Sequence, residues 1–483
     1  MFFTSSFSQE RYGISNSPNA GITGSLLNPA SMASSPYRWD LNIVTAHSYF
    51  DNNYFYLYPA RIPKLIANIG SATISVNTAW NSSEIKRSKY ILKNKTHNSW
   101  RKCFYSSVLV QGPSLMFNIK RWTFGVETAV REAASLTRLH KDIVKLIFEE
   151  IDFDSFQEFD IANFNITIPK FRVNAIAWGE IGFSVAREIK RIDRDTYVKA
   201  GLTLKHINAF AGIYFLNKEI QMIIPNDSDM YFKNVNLKYG YAFNENMNNT
   251  NFFVPEGKGK SMDVGITIEK KSLKNKYQCP NFCKRKLELQ YSWKLGISLI
   301  DIGYVHFNKD AKTFLIENRS NYWFNLFKLK ANGIEAIDST MNAHFGDNQT
   351  PIFSGTSFTM LLPWAASIQY DYNIGYDFYV NGTWVQRIPH FGLPGVDRVN
   401  SIAITPRYEG NRIGIAMPIA LYNYIWPKIG FALRINNCFI IGTDKLGAFL
   451  DHRISGEDIY VALKINVLRK CDTKKKKKTA PSF

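Results

Sequence analysis

The chain contains no long apolar run and few cysteines, and both shortages narrow the classes of protein it can represent. No stretch of about 18 consecutive apolar residues occurs, so no helix is predicted to cross a membrane. Only 5 of the 483 residues are cysteine, and they are spread thinly. Cys279 and Cys283 could close a small disulfide loop in an oxidising compartment, but no second ligand pair at zinc-binding spacing accompanies them.

Acidic residues are outnumbered by basic ones, with 40 Asp and Glu against 59 Lys and Arg and a formal charge of +19. A basic balance indicates nucleic acid, anionic lipid headgroups or acidic ligands as partners. No zinc-finger spacing, basic helix or aromatic ribonucleoprotein motif accompanies the charge, so nucleic-acid binding is not predicted.

Sequence patterns for catalysis and cofactor binding are missing as well. Residues 112–116 lack the second glycine of a nucleophile elbow. The eight histidines include no His-Glu-x-x-His motif and no cluster at metal-ligand spacing. We therefore predict no catalytic residue, no metal and no cofactor; an enzyme whose site carries no motif is the alternative.

What the sequence has in abundance is residue-by-residue alternation, and residues 114–131 show it most plainly. Successive side chains of a strand point to opposite faces of the sheet. One face here is apolar and the other is small, polar or charged. The apolar set is Trp122, Phe124, Val126, Thr128 and Val130, and the opposite set is Thr123, Gly125, Glu127, Ala129 and Arg131. A soluble sandwich would turn the apolar set inward, whereas a membrane barrel would turn it toward lipid.

The alternation recurs in segments longer than ordinary strands, at 196–205, 262–269, 287–298, 371–384 and 459–467. It also recurs in a predicted hairpin at 401–421, whose turn is Glu409-Gly-Asn411. The run at 287–298 covers about eleven residues, against a usual strand length of about 5–6 and the 9–11 that a tilted strand needs to cross a bilayer. The polar faces carry glycines as well as full charges, which suits a crowded, curved lumen. These features favour lipid outside over an apolar core inside.

We predict an all-β fold, an antiparallel transmembrane β-barrel of about 14 strands with an N-terminal plug segment and short helices in long loops. Helical spacing at 139–151, 321–327 and 334–341 marks the loop helices. The predicted divisions are a signal-peptide remnant (1–10), a plug and first-strand lead-in rich in Gly, Ser, Asn and Pro (11–39), the barrel (40–470) and a basic disordered tail (471–483).

Parity along the strands assigns the two faces. The predicted lumen residues are Glu127, Arg131, Asp263, Glu269, Lys294, Asp377 and Arg407. The predicted lipid-facing residues are Trp122, Phe124, Tyr376, Phe378 and Trp384.

Several segments also carry a family resemblance: Gly24-Ser-Leu-Leu-Asn-Pro-Ala30, Ser35-Pro-Tyr-Arg-Trp-Asp40, Gln111-Gly-Pro-Ser-Leu-Met-Phe117 and the strand after Gly257. The chain resembles an outer-membrane β-barrel family of unknown function from Bacteroidetes-type bacteria. That family is similar to long-chain fatty-acid transporters and to barrel proteins of the type IX secretion system. The resemblance implies that Asn28 and Pro29 belong to the N-terminal plug or lie by the first strand.

The expected function follows from fold and resemblance together. We expect an outer-membrane barrel of a Gram-negative bacterium, acting as a channel or as a scaffold for an envelope complex, with a polar lumen that sets selectivity. Outer-membrane lipid, other envelope proteins and a small or hydrophobic solute are the expected partners. A secreted or surface-located soluble β-rich binding protein, which uses its aromatic faces as an interface, is the alternative.

Overall fold

A computed structural model describes residues 10–63, 74–76, 90–94, 101–141, 143, 164–225, 229–244, 254–271, 291–324, 334–346, 352–410, 412–425 and 427–468. Four predicted features lie wholly or mostly outside these residues: the signal-peptide remnant, the Cys279–Cys283 loop, the basic tail and the helix at 139–151. Where that helix is described, Leu139 and His140 belong to a strand, and Lys141 and Ile143 are helical.

Strands dominate the described residues. In the first half they are β1 (Tyr37–Asn52), β2 (Phe55–Tyr58), β3 (Ile74–Val76), β4 (Tyr90–Asn94), β5 (Arg101–Gln111), β6 (Ser114–Ile119), β7 (Trp122–His140), β8 (Phe164–Ile168), β9 (Phe171–Arg191), β10 (Thr196–Ile224), β11 (Met230–Ala242) and β12 (Gly257–Lys271). In the second half they are β13 (Tyr291–Phe307), β14 (Ala311–Trp323), β15 (Phe353–Gly355), β16 (Phe358–Leu361), β17 (Ala365–Gly375), β18 (Phe378–Arg387), β19 (Ser401–Glu409), β20 (Ile413–Ala416), β21 (Ile419–Tyr422), β22 (Pro427–Ile429), β23 (Phe431–Ile435), β24 (Phe439–Thr443) and β25 (Gly456–Leu468).

All of these except β2, β3 and β4 form one sheet that closes on itself. The first strand, β1, pairs antiparallel with the last, β25, on one edge and with β5 and β6 on the other. Some of these strands are consecutive pieces of one longer strand, because both pieces pair with the same neighbour. Thus β5 and β6 both pair with β1, and β20 and β21 both pair with β19. Counted by their pairing, fourteen antiparallel strands close the barrel, and the predicted fold class is confirmed.

Apolar side chains cover the outside of this barrel and polar ones line its inside. On β7, Trp122, Phe124 and Val126 are exposed, while Thr123 and Glu127 are buried. An exposed apolar surface this extensive is unfavourable in water and is the surface that a membrane barrel presents to lipid. The soluble alternative requires the opposite placement, because it buries its apolar face.

Most strand connections at the end where Tyr37 pairs with Leu468 are short turns, apart from residues 272–290 between β12 and β13, and most of the long connections lie at the opposite end. Residues 371–384 were predicted as one strand, but they form the hairpin of β17 and β18. Tyr376 and Asp377 make its two-residue turn at φ +52° and +66°, the geometry favoured in tight hairpins. A two-residue turn alone would exchange the two faces along the sequence, but a register shift between Asn373 and Gly375 restores them. The alternation therefore continues through the turn and hides it.

Helices are short in the described residues, and none of them is long and apolar enough to span a membrane. Helix α1 (Ile334–Phe345) packs on β14 near the long connections. It includes residues 334–341, which were predicted to be helical. Helix α2 (Gly447–Leu450) is a single turn. The predicted helix at 321–327 is wrong for residues 321–323, which continue β14 because they pair with β11.

Candidate functional site: the filled lumen

Residues 10–36, the plug segment, lie inside the barrel and bond to inward-facing side chains on different sides of the wall. Asn16 Nδ2 donates to Thr383 Oγ1 of β18 at 2.7 Å. Ser34 Oγ donates to Glu269 Oε2 of β12 at 2.7 Å. The backbone N–H of Ile22 donates to Asp40 of β1 at 2.8 Å. Because β1, β12 and β18 lie far apart around the ring, the plug segment fills the space between them.

Asn28 anchors the middle of the plug segment. Its side-chain oxygen accepts the backbone N–H of Ala30 at 3.0 Å and so caps the 3-10 helix Pro29–Ser34. Its side-chain nitrogen donates to Gln369 Oε1 of β17 at 3.0 Å. One side chain therefore stabilises the local fold of the plug segment and ties it to the wall.

Glycines of the wall allow this close approach. A Cβ on Gly201 of β10 would lie 2.4 Å from the backbone of Pro29 and Ala30. A Cβ on Gly265 of β12 would lie 2.1 Å from Asn28 Oδ1. Real Cβ atoms do not come this close to other atoms. Glycine at positions 201 and 265 therefore leaves the space that the plug segment occupies.

A buried charge network lies on the inner wall, with Asp301 of β13 at its centre. Arg131 of β7 binds both carboxylate oxygens of Asp301 at 2.8 Å. Lys205 of β10 contacts Asp301 Oδ1 at 2.8 Å and Asp263 Oδ2 at 2.7 Å. Arg398 contacts Asp301 Oδ2 at 3.2 Å. Paired charges of this kind, bound bidentately, are the form in which buried ions are tolerated.

Arg398 joins this network to the plug segment. It lies in the connection between β18 and β19, which folds inward, and its Nε donates to Glu10 Oε1 at 2.8 Å. Burial raises the pKa of the Glu10 carboxyl from its ordinary value, and the Arg398 guanidinium opposes that rise. The wall, the inward-folded connection and the start of the plug segment thus meet through the single side chain of Arg398.

A second group of ion pairs lies nearer the short turns. Lys199 Nζ contacts Glu269 Oε1 at 2.7 Å, on the side of the lumen where Ser34 binds. Across the barrel, Arg407 contacts both Asp371 and Glu409, the latter at 3.1 Å.

Six of the seven predicted lumen residues have buried side chains that point inward, and most of them take part in these groups. They are Glu127, Arg131, Asp263, Glu269, Lys294 and Arg407. Asp377 does not, because it lies in the β17–β18 turn. The predicted lipid-facing residues Trp122, Phe124, Phe378 and Trp384 are exposed on the outer wall, whereas Tyr376 is 96% exposed at the tip of that same turn.

Asp301 was not predicted, because a β-bulge reverses the parity of β13. Met262 pairs with Ile302 and Val264 with Leu299, so Asp263 faces two residues of β13 rather than one. Asp301, which shares sequence parity with outward-facing Leu299, thereby turns inward, at φ +55°. A second register shift turns Tyr291 inward, although Tyr291 shares sequence parity with outward-facing Ile297 and Leu299.

Other members of the network escaped prediction for simpler reasons. Lys205 and Glu180, which contacts Arg131 at 3.4 Å, have the inward parity of their strands. Strict alternation would therefore have found them. Arg398 and Glu10 lie outside strands and carry no periodic signal.

The model of "Family of unknown function (DUF5723)" matches residues 29–444. The chain belongs to this family. No curated protein matches the sequence.

Among solved structures, the chain is similar to the Pseudomonas putida toluene transporter TodX, at 9% identity and a TM-score of 0.30, over 95% of this chain and 98% of TodX. It is also similar to the ferric yersiniabactin uptake receptor FyuA from Yersinia pestis, at 9% identity and a TM-score of 0.21, over 73% of this chain and 40% of the receptor. Because both scores are low, the barrel assignment rests on the strand pairing and burial of this chain itself.

Proposed function

We propose that this DUF5723 protein is a gated outer-membrane barrel of a Gram-negative bacterium, which passes a small solute when its plug segment moves. The short turns would face the periplasm and the long connections the exterior, as in barrels of this kind. The observation that carries the proposal is the Glu10–Arg398–Asp301 contact, in which one guanidinium joins the plug segment, an inward-folded connection and the wall.

Much of the plug contact is polar, and this supports a reversible closure. Hydrogen bonds between the plug segment and the wall exchange for hydrogen bonds to water on release, with a net cost of about 0.5–1.5 kcal/mol each. The wall that release would uncover carries Glu269, Lys199 and Asp263. Mixed charge of this kind suits a small polar solute better than a hydrocarbon.

A permanently closed scaffold is the second candidate, and apolar contacts of the plug segment favour it. Ile22 and Met32 are fully buried against Tyr37, Met116 and Ala186. Withdrawing them would expose apolar surface, at a cost of about 1.5–3 kcal/mol for each side chain.

Single-barrel conductance in planar bilayers distinguishes the two candidates. Arg398→Gln removes the charge that joins the plug segment to Asp301 and is expected to raise the frequency of openings. Arg412→Gln removes an equal charge from an exposed position by the short turns and serves as the control. Silence of the wild type and of both variants would overturn the gated channel and favour the scaffold.

A further inference from the structure

We infer that the outer wall carries a binding site for the phosphate groups of lipopolysaccharide at the border near the long connections. Lys258 and Lys260 project outward from β12, and both are exposed. In the sheet, Lys260 lies between His206 of β10 and Tyr304 of β13, and Lys258 lies directly opposite His306 of β13. These five outward-facing side chains, on three adjacent strands, form the cationic patch.

The cationic patch lies at the edge of the apolar band. Outward-facing Lys260 and Lys270 bound the apolar run on β12, which consists of Met262, Val264, Ile266 and Ile268. Ten residues span about 33 Å along a strand, and a tilt of 35–45° reduces this to about 25 Å along the membrane normal. That height matches the apolar band of an outer-membrane barrel, so the patch lies at headgroup level.

The two lysines of the patch have no acidic partner among the described residues. No described carboxylate oxygen comes within 4.0 Å of either, and the nearby Glu256 is paired with Lys309 at 3.6 Å. Like charges at neighbouring positions of one face repel, and an anion bound between them would relieve that repulsion.

The opposite border of the same wall differs. There the cations of Arg191 and Lys271 lie 4.7 and 4.6 Å from the ring centre of Tyr197, and Arg191 also pairs with Glu188 at 3.5 Å. The protein itself contacts these two cations, although Lys270 beside them has no described acidic partner. At the patch neither lysine has one.

The rest of the patch fits a phosphorylated lipid. Tyr304 is exposed at the level where aromatic residues flank the apolar band. His306 Nδ1 lies 3.0 Å from Thr359 Oγ1, which orients the imidazole. The choice of lipopolysaccharide rests on the proposed placement, because its phosphates occupy the leaflet that the long connections would face.

The test uses the purified full-length protein in detergent and native mass spectrometry. The probes are hexa-acylated lipid A with both phosphates, the same lipid with its phosphates removed, and inorganic phosphate. Lys258→Gln/Lys260→Gln removes the patch charges. Lys270→Gln/Lys271→Gln makes the same change at the other end of β12 and is the matched control.

The wild type and the control are expected to prefer the diphosphorylated lipid. Lys258→Gln/Lys260→Gln is expected to bind it roughly 25-fold more weakly, given about a fivefold effect for each lysine near a charged surface. Unchanged binding by that variant, an equal loss in the control, or displacement of the lipid by inorganic phosphate at comparable concentration would each overturn the site.

The lipid-binding measurement does not involve conductance, so its outcome does not depend on whether the barrel is gated. The heat-dependent shift in gel migration that marks a folded barrel is measured on each variant. If the wild-type barrel shows the shift but binds lipid A equally well with and without its phosphates, the lipid site alone is overturned. A protein that remains soluble and monomeric without detergent overturns the membrane placement.

Discussion

The two faces of the barrel wall differ in what stabilises them, although the residues that form them alternate along the same strands. On β12, Asp263 and Glu269 face inward and are paired with lysines, while Val264, Ile266 and Ile268 face outward. A protein dissolved in water would reverse this arrangement. The inner face is therefore stabilised by charge pairing and by the plug segment, whereas the outer face is stabilised by lipid.

The strongest test of the inner face is Asp301→Ala. This change leaves Arg131, Lys205 and Arg398 buried around a missing carboxylate. Unpaired buried charge costs about 3–5 kcal/mol, so the urea midpoint of the folded barrel in lipid vesicles should fall sharply. Asp301→Asn keeps the shape and some hydrogen bonds and should fall less. A loss below about 1 kcal/mol for Asp301→Ala would show that the network contributes little.

The corresponding test of the outer face is Ile266→Arg, at the middle of the apolar band. A cation on the lipid face costs about 2–4 kcal/mol at the bilayer midplane, and folding into vesicles should weaken by that amount. Ile337→Arg, in helix α1 outside the barrel wall, is the control and should change little. Equal effects at both positions would mean that residue 266 does not contact lipid.

Gly201→Val tests the contact between the inner face and the plug segment. The new side chain would collide with the backbone of Pro29 and Ala30, and overpacking of this kind costs about 1–3 kcal/mol. We expect the barrel to fold with its plug segment displaced, which limited proteolysis between residues 10 and 36 would detect. Gly382→Val is the control, because a Cβ there meets no atom within 4 Å. Protection equal to the wild type in Gly201→Val would place the plug segment elsewhere.

The smallest effect is expected for Glu127→Gln. Glu127 accepts a hydrogen bond from Ser184 Oγ at 2.6 Å and is not part of the Asp301 network. An amide can accept the same bond, so stability should change by about 0.5–1.5 kcal/mol, as measured by urea titration. A loss as large as that of Asp301→Ala would mean that each inward carboxylate contributes to stability by itself and not through ion pairing.

The sequence predicts the wall of this barrel well, because burial on one face forces a period of two. The placement of Glu127 and Phe124 on opposite faces follows from that period alone, whereas the outward placement of Phe124 follows from the number and length of such strands. The prediction fails at two places: at the bulge that interrupts the period and turns Asp301 inward, and at the turn that contains Asp377, through which the period continues. A single sequence marks neither, because bulge and turn change the geometry of the backbone without changing the composition of the strand.

The filling of the lumen was predicted only in outline. The family resemblance implied an N-terminal plug, but the contacts of the plug segment depend on residues hundreds of positions away, such as Gln369 for Asn28. Arg398, which joins three parts of the site, lies in a connection without periodicity. Long-range polar contacts of this kind leave no local pattern in the chain.

Quenching of single tryptophans by brominated lipids tests the orientation of the wall most directly. Each variant keeps one of the 10 tryptophans and replaces the others with phenylalanine. Trp122 and Trp384 are 41% and 43% exposed on the outer wall, and Trp178 is fully buried inside at 0%. The barrel described here predicts strong quenching of Trp122 and Trp384 and none of Trp178. Quenching of Trp178 without quenching of the other two would contradict it.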